Sequence, residues 1–219
     1  MTEEKIARWF DKRSRGFDAL YTGKRHPFLV VMDRIFRKNI PERFYRTGQV
    51  LSPLEGKRIL DVGCGSGQYA VSFALSGARE VVGIDVSPVM LDMARRLAVE
   101  KGVSESCRFI DGEIMQSRIE GPFDHAIAIG FFDYNVDGVK VLQKMANLTE
   151  GKVVATFPML LAPRVPARKL WLALKRCPVY FYTRSRIEEL FSAAGMPNPS
   201  IDRFHALYFA VGNANASER

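Results

Sequence analysis

The stretch Leu60-Asp61-Val62-Gly63-Cys64-Gly65-Ser66-Gly67 constrains this chain more than any other part of it. A short apolar run, Arg58-Ile59-Leu60-Asp61-Val62, is closed by three alternating glycines. A helix-compatible segment from Gln68 to Ser76 follows and is stopped by Gly77. Glycine lets a backbone turn sharply and removes the Cβ that would collide with a ligand. A helix that starts just beyond such a turn offers unpaired N–H groups to a polar or anionic ligand. A tight turn with no ligand is the plainer alternative.

The strand-then-helix unit repeats. Glu80 to Asp85 reads as a second strand. Ser87 is a plausible N-cap, with Pro88 at the first helical position and a helix through Glu100 that ends at Gly102. Arg108 to Ile110 is a third strand, and His125 to Ile129 is a nearly all-apolar fourth, as expected of a strand buried on both faces. A helix over about Asp137 to Leu148 leads to a fifth strand, Lys152 to Phe157. Ser185 and Glu188 form a capping-box pattern for a helix that stops at Gly195. Ile201–Phe204 and Ala206–Val211 read as a closing pair of strands. This alternation implies one α/β domain: a doubly wound, mostly parallel seven-stranded sheet with helices on both faces. Before it, Ile6, Trp9, Phe10, Phe17 and Leu20 recur at roughly helical spacing, and Pro27 and Pro41 each stand where a helix could begin. The chain of 219 residues is long enough for one such domain and short for two.

Two details sharpen the glycine signal. The spacing is GxGxG, not the GxGxxG of dinucleotide enzymes. Asp61 stands just before the first glycine, where a carboxylate can pair with an ammonium group, which NAD lacks. Asp85 closes the second strand 22 residues beyond Gly63, and this topology sets such a carboxylate opposite ribose hydroxyls. Together with Gly83-Ile84-Asp85-Val86-Ser87, the loop resembles the first two motifs of the class I, Rossmann-like S-adenosylmethionine-dependent methyltransferases. In weaker form the resemblance runs from about Phe10 to Asn213. It implies that Asp61, Gly63, Gly65 and Gly67 hold the methionine part of S-adenosylmethionine and that Asp85 binds the ribose. Val86 and Met90 would pack on the adenine. The family's third motif aligns best on Gly112-Glu113, so Glu113 would receive the adenine amino group and the Ile114 backbone N–H would meet the ring. Asp111 lies close by. The product would be S-adenosylhomocysteine, with no metal required.

Ligands of such sheets bind at the carboxyl ends of the strands, so Gly130-Phe131-Phe132-Asp133-Tyr134 should face the transferred methyl, with Gly130 near the sulfonium. The resemblance implies something negative here too. The family's branch that methylates base amino groups carries Asn/Asp-Pro-Pro-aromatic at this place, and this chain does not. Cys177-Pro178 falls outside the family's nucleophile positions, and a structural cysteine is the expectation. Methyl transfer needs mainly alignment. Asp133, Tyr134 and His205 are the candidates for a base or for orienting groups.

The net charge of +8 is unevenly spread. Residues 1–50 carry 12 basic and 6 acidic side chains, residues 51–150 carry 10 and 14, and residues 151–190 carry 8 and 2. Two positive blocks therefore flank an acidic centre. Segments 1–50 and 158–184 are expected to be a helical N-terminal lid and a basic insertion around a cofactor-binding core at 51–157, with a C-terminal helix and strands at 185–219. Arg164 to Arg176 projects as a basic amphipathic helix. Arg164, Arg168, Lys169, Lys175 and Arg176 share one face, while Ala167, Leu170, Trp171 and Leu174 form another. Such a helix can turn cations to a cleft, lie on an anionic membrane, or be an ordinary solvated surface. The favoured acceptor is a small or amphipathic anionic molecule. An RNA methyltransferase is the alternative, and it lacks support from a separate RNA-binding module or a basic-aromatic platform beyond Arg176 to Arg184. An NAD-dependent oxidoreductase and a non-catalytic binding module are more distant readings. No apolar run approaches the roughly 20 residues of a membrane helix. Met1-Thr2-Glu3-Glu4 lacks the start of a signal peptide, and the three cysteines form no CxxC pair. A cytoplasmic setting is the expectation.

Overall fold

A computed structural model of the chain describes residues 39–133, 137–160 and 180–214. The expected lid is therefore described only from Asn39 on. Tyr134, the segment Arg164 to Arg176 and Cys177 lie outside the described residues.

The elements, in order, are α1 (Asn39–Leu51), β1 (Arg58–Val62), α2 (Gln68–Leu75), β2 (Glu80–Asp85), α3 (Pro88–Glu100), β3 (Cys107–Asp111), β4 (Phe123–Ala128), α4 (Gly138–Asn147), β5 (Thr149–Pro158), α5 (Arg184–Ala193), β6 (Ser200–Phe204) and β7 (Leu207–Asn213). They build a seven-stranded sheet of order β3-β2-β1-β4-β5-β7-β6. The first five strands pair in parallel, and β7 runs antiparallel between β5 and β6. This is a Rossmann-like, doubly wound arrangement with an antiparallel closing pair of strands. Strand order reverses between β1 and β4, which opens a crevice at their carboxyl ends.

The sheet is covered on both faces because successive apolar residues of its central strands are buried on opposite sides. Leu60, Val82 and Ala126 face one core with Val141 and Leu142 of α4 and Ile187 and Phe191 of α5. Their neighbours Ile59, Val81 and Ile127 face a second core with Leu51 of α1 and Tyr69 and Phe73 of α2. The period of two along each strand sorts residues between these faces. α1 is held to the second face by Phe44, whose ring stacks on Tyr69 with centroids 4.4 Å apart. Pro41 lies in the first turn of α1, where its missing N–H costs nothing.

Ser87 caps α3 by accepting from the Met90 N–H at 3.2 Å, with Pro88 at the first position. The start of α5 differs from its expected place. Thr183 is the cap, accepting from Arg186 N at 3.3 Å, and Glu188 pairs with Arg184 at 2.9 Å instead of reaching back to a cap. The glutamate that a Ser185 capping box would use is thus held by Arg184, one turn before it. Among the described residues, no helix is long and apolar enough to cross a membrane.

Gly67 shows how tightly the first βα turn is packed. It lies at φ +75°, and a Cβ there would stand 2.7 Å from the Ala94 Cβ on α3. Gly67→Ala should destabilise the protein by about 2 kcal/mol through overpacking and left-handed strain. Thermal unfolding should show a fall of roughly 4–8 °C; an unchanged melting temperature would refute this packing role.

Candidate functional site

β1, β2, β3 and β4 end side by side. Asp85 pairs in register with Asp111, and Asp61 lies between Gly83 and Ile127. The chain leaves each of these ends in a loop, and the loops converge on the crevice beside β1.

The glycine loop is fixed from below. The amides of Gly63 and Cys64 donate to the Ile84 carbonyl at 2.8 and 3.1 Å. The Gly65 N–H donates to Asp85 Oδ2 at 2.9 Å, and Ser87 N–H donates to Oδ1 at 3.0 Å. Asp85 thus binds the glycine loop to the start of α3 while remaining half-buried at the crevice. The three glycines have different reasons to be glycine. A Cβ on Gly63 would meet the Phe131 ring at 2.7 Å, and Gly67 is packed as described. Gly65, at φ +53°, would point a Cβ into open space with nothing within 4 Å. Only at Gly65 is that space left for a ligand.

Asp61 is the most unusual group in the crevice. It is 2% exposed, and its Oδ2 is buried with no hydrogen-bond partner. Burial, followed by repulsion from Asp85, pushes its carboxyl up to about 8. Burial and these same two carboxylates push the Cys64 thiol well up, so it stays protonated and is no nucleophile.

Around this centre lie the other residues singled out from the sequence. Val86 is half-buried and Met90 is 3% exposed within the fold. The Gly112 N–H donates to the Asp85 carbonyl at 3.0 Å, which brings the Glu113–Ile114 turn beside the end of β2. Glu113 accepts from Gln116 Nε2 at 2.6 Å, and Ile114 is buried. Gly130 follows β4, and its N–H donates to Oγ1 of the fully buried Thr156 at 2.9 Å. Asp133 is 8% exposed. Its carbonyl accepts from Tyr180 N–H at 2.9 Å, and the Tyr182 hydroxyl donates to the Phe132 carbonyl at 3.1 Å. Burial, then the charge of Asp133, pushes Tyr182 up to about 12. His205 is exposed in the turn between β6 and β7, with Nε2 3.0 Å from Glu42 Oε2.

The sequence reading missed Arg43. It lies on α1, and its Nη1 is 3.7 Å from the position a Cβ on Gly130 would take. Its Nε is buried without a hydrogen-bond partner. Arg43, Thr47 and Leu51 are spaced four apart, and Thr47 and Leu51 are 0% and 1% exposed. A cation in an otherwise buried stripe was the available signal. The crevice therefore holds a buried carboxylate without a partner beside the Gly65 turn and an incompletely paired guanidinium beside Gly130.

Residues 59–151 match the family model described as a methyltransferase domain. Over 110 residues the chain is 37% identical to a ubiquinone biosynthesis O-methyltransferase of Alkalilimnicola ehrlichii, covering 50% of this chain and 44% of that protein. A ribosomal protein L11 methyltransferase of Deinococcus radiodurans is 41% identical over 61 residues, 28% of this chain and 22% of that one. The chain spans under half the length of the ubiquinone-biosynthesis relatives that it matches. The fold also matches the magnesium protoporphyrin IX methyltransferase from Synechocystis PCC 6803 with bound SAH. That TM-score is 0.77 at 18% identity, covering 97% of this chain and 99% of the other.

The raised Asp61 has a consequence for stability. Between about pH 4 and pH 8 the folded protein holds a proton that the unfolded chain has lost. The ligand-free fold therefore loses stability as pH rises through that window, and the loss levels off above it. Asp61→Asn lacks this slope. At ~1.4 kcal/mol per pKa unit, even half of the shift should raise the variant's melting temperature over wild type by roughly 6 °C or more at pH 8, with little gap at pH 4.5. Parallel pH profiles for the two proteins would refute it.

Proposed function

From the methyltransferase domain that residues 59–151 constitute, and the class I fold built around it, we infer that this chain is an S-adenosylmethionine-dependent methyltransferase acting on a small or amphipathic anionic acceptor. The observation that carries the cofactor is the buried Asp61 carboxylate with no partner of its own. An ammonium group there turns an unfavourable burial into a charge-assisted hydrogen bond. The pyrophosphate of a dinucleotide would add negative charge beside Asp61 and Asp85, which opposes an NAD enzyme.

When bound, S-adenosylmethionine supplies a methyl group on a positive sulfur, already activated for displacement. The chain's own work is to hold and align. Asp61 takes the ammonium and Arg43 the carboxylate of the methionine end. Asp85 turns to the ribose hydroxyls, Glu113 to the adenine amino group, and Val86 and Met90 supply apolar cover. The Gly130 turn, braced by Thr156, would lie on the sulfonium side. Alignment of an acceptor's lone pair with that methyl is what these residues would secure, with S-adenosylhomocysteine as the product. Where the acceptor nucleophile bears a proton, Asp133 is the described candidate with a buried carboxylate at this strand end.

Charge supports the acceptor class. The block at 1–50 and the block at 158–184 would flank the crevice as lid and insertion, giving a positive mouth above an acidic cofactor half. The names of the ubiquinone and porphyrin methyltransferases point the same way, toward small-molecule acceptors.

Calorimetry should show S-adenosylhomocysteine binding, and Asp85→Ala should weaken it by roughly 10-fold or more, since charged hydrogen bonds contribute about 1.5–3 kcal/mol. Binding of NAD with none of S-adenosylhomocysteine would end this reading. For the acceptor, labelled methyl transfer into an extract, with mass identification of the product, names the substrate. Replacing Arg168, Lys169, Lys175 and Arg176 with Gln should then raise the KM for that acceptor, more strongly at low salt, and leave S-adenosylhomocysteine affinity unchanged. Loss of RNA binding with a reduced salt slope would transfer the assignment to an RNA acceptor.

A further inference from the structure

Arg43 reaches the crevice from a helix outside the sheet, so something must hold that helix in register with β4. Its neighbour Glu42 offers the link. Glu42 Oε1 accepts from Arg46 Nε at 2.9 Å and pairs with Nη2 at 2.8 Å. Glu42 Oε2 stands 3.0 Å from His205 Nε2, and Arg46 Nη1 stands 3.8 Å from Asp202 Oδ2. Two residues of α1 and two of the β6–β7 hairpin thus form one polar cluster.

The hairpin end is itself anchored to the sheet where the crevice lies. Leu207 pairs with Pro158 at the carboxyl end of β5, and the Ala206 carbonyl accepts from Met159 N–H at 3.0 Å. The turn residue is unusual as well. His205 has φ +51°, a conformation that two-residue hairpin turns ordinarily give to glycine or asparagine. Its imidazole is the group that meets Glu42.

We propose that His205 and Glu42 are positioning residues that clasp α1 to the β6–β7 hairpin and thereby hold the Arg43 guanidinium at Gly130 for the cofactor's carboxylate. This rests on the cofactor reading above. It also gives His205 a positioning role, separate from proton transfer. Exposed ion pairs add little to global stability, so the clasp should be visible in ligand affinity, and only for ligands that carry the carboxylate.

The test uses the full chain and calorimetry with two ligands. S-adenosylhomocysteine has the amino-acid end, and 5′-methylthioadenosine keeps the nucleoside and sulfur without it. His205→Ala should weaken S-adenosylhomocysteine about two- to fivefold, the range expected of a surface pair. It should leave methylthioadenosine affinity and the melting temperature nearly unchanged. His205→Gln, which keeps a donor toward Glu42, should restore most of the affinity. In an Arg43→Met background, His205→Ala should cause no further loss. The clasp is overturned if His205→Ala binds S-adenosylhomocysteine as wild type does while Arg43→Met binds it more weakly. It is equally overturned if both ligands weaken together, or if the loss persists without Arg43. Wild-type protein that binds neither ligand would instead sink the cofactor reading on which the clasp rests.

Discussion

Burying a carboxylate is among the costliest things a fold can do, and Asp61 is buried at the end of β1 with one oxygen unpartnered and Asp85 beside it. Nothing in the described core compensates it. The cost is bearable because Asp61 keeps its proton near neutral pH, as its rise to about 8 implies. That same rise makes the site responsive: a cation that arrives takes over the charge and displaces the proton. The flanking loop obeys this arrangement. Asp85 is held by the amides of Gly65 and Ser87, so its charge is spread into the backbone while that of Asp61 is not.

Topology then determines what else can reach the centre. Strand order reverses between β1 and β4, so the Gly65 turn and Gly130 follow neighbouring strands at the point where such sheets open a crevice. Gly65 lacks any neighbour in the direction its Cβ would take, and Gly130 has only Arg43 there. The parallel strands deliver carboxylates to this rim. The antiparallel β7 lets the β6–β7 hairpin return to the same rim from the far edge of the sheet, where His205 meets α1.

The parts of this design encoded in contiguous residues were legible in the sequence. β1 and β2 have the bounds read from their apolar runs, and α3 begins and ends where Ser87, Pro88 and Gly102 place it. These elements are specified by local chemistry: pleat alternation, a cap hydroxyl and a proline that needs no donor. The α5 start was misplaced by two residues: the cap hydroxyl is that of Thr183, and the Glu188 that a Ser185 capping box would use is held by Arg184, which also reaches the Ile201 carbonyl at 3.3 Å. Within the glycine loop the sequence could not divide the labour. That Gly63 answers to Phe131 and Gly67 to Ala94 follows from packing between segments distant in the chain. Arg43 was hidden for the same reason, since its meaning comes from Gly130, which a helix-to-strand contact brings near.

The contrast extends to the two halves of the reaction. On the proposed reading, recognition of an amino-acid end asks for a carboxylate and a guanidinium at set positions, and here one comes from the end of β1 and the other from α1. The acceptor half is under a different constraint. A positive mouth can be made by any arrangement of cations within a Debye length, so it demands composition more than geometry. The basic excess in residues 1–50 and 151–190 is of that kind. Arg43 belongs to the first of these blocks yet is partly buried and aimed at a single turn, which takes it out of the diffuse field and into the site. Within one block of charge, therefore, Arg43 is set apart by its burial and its approach to Gly130, whereas a diffuse excess of cations acts only through the field it sums to.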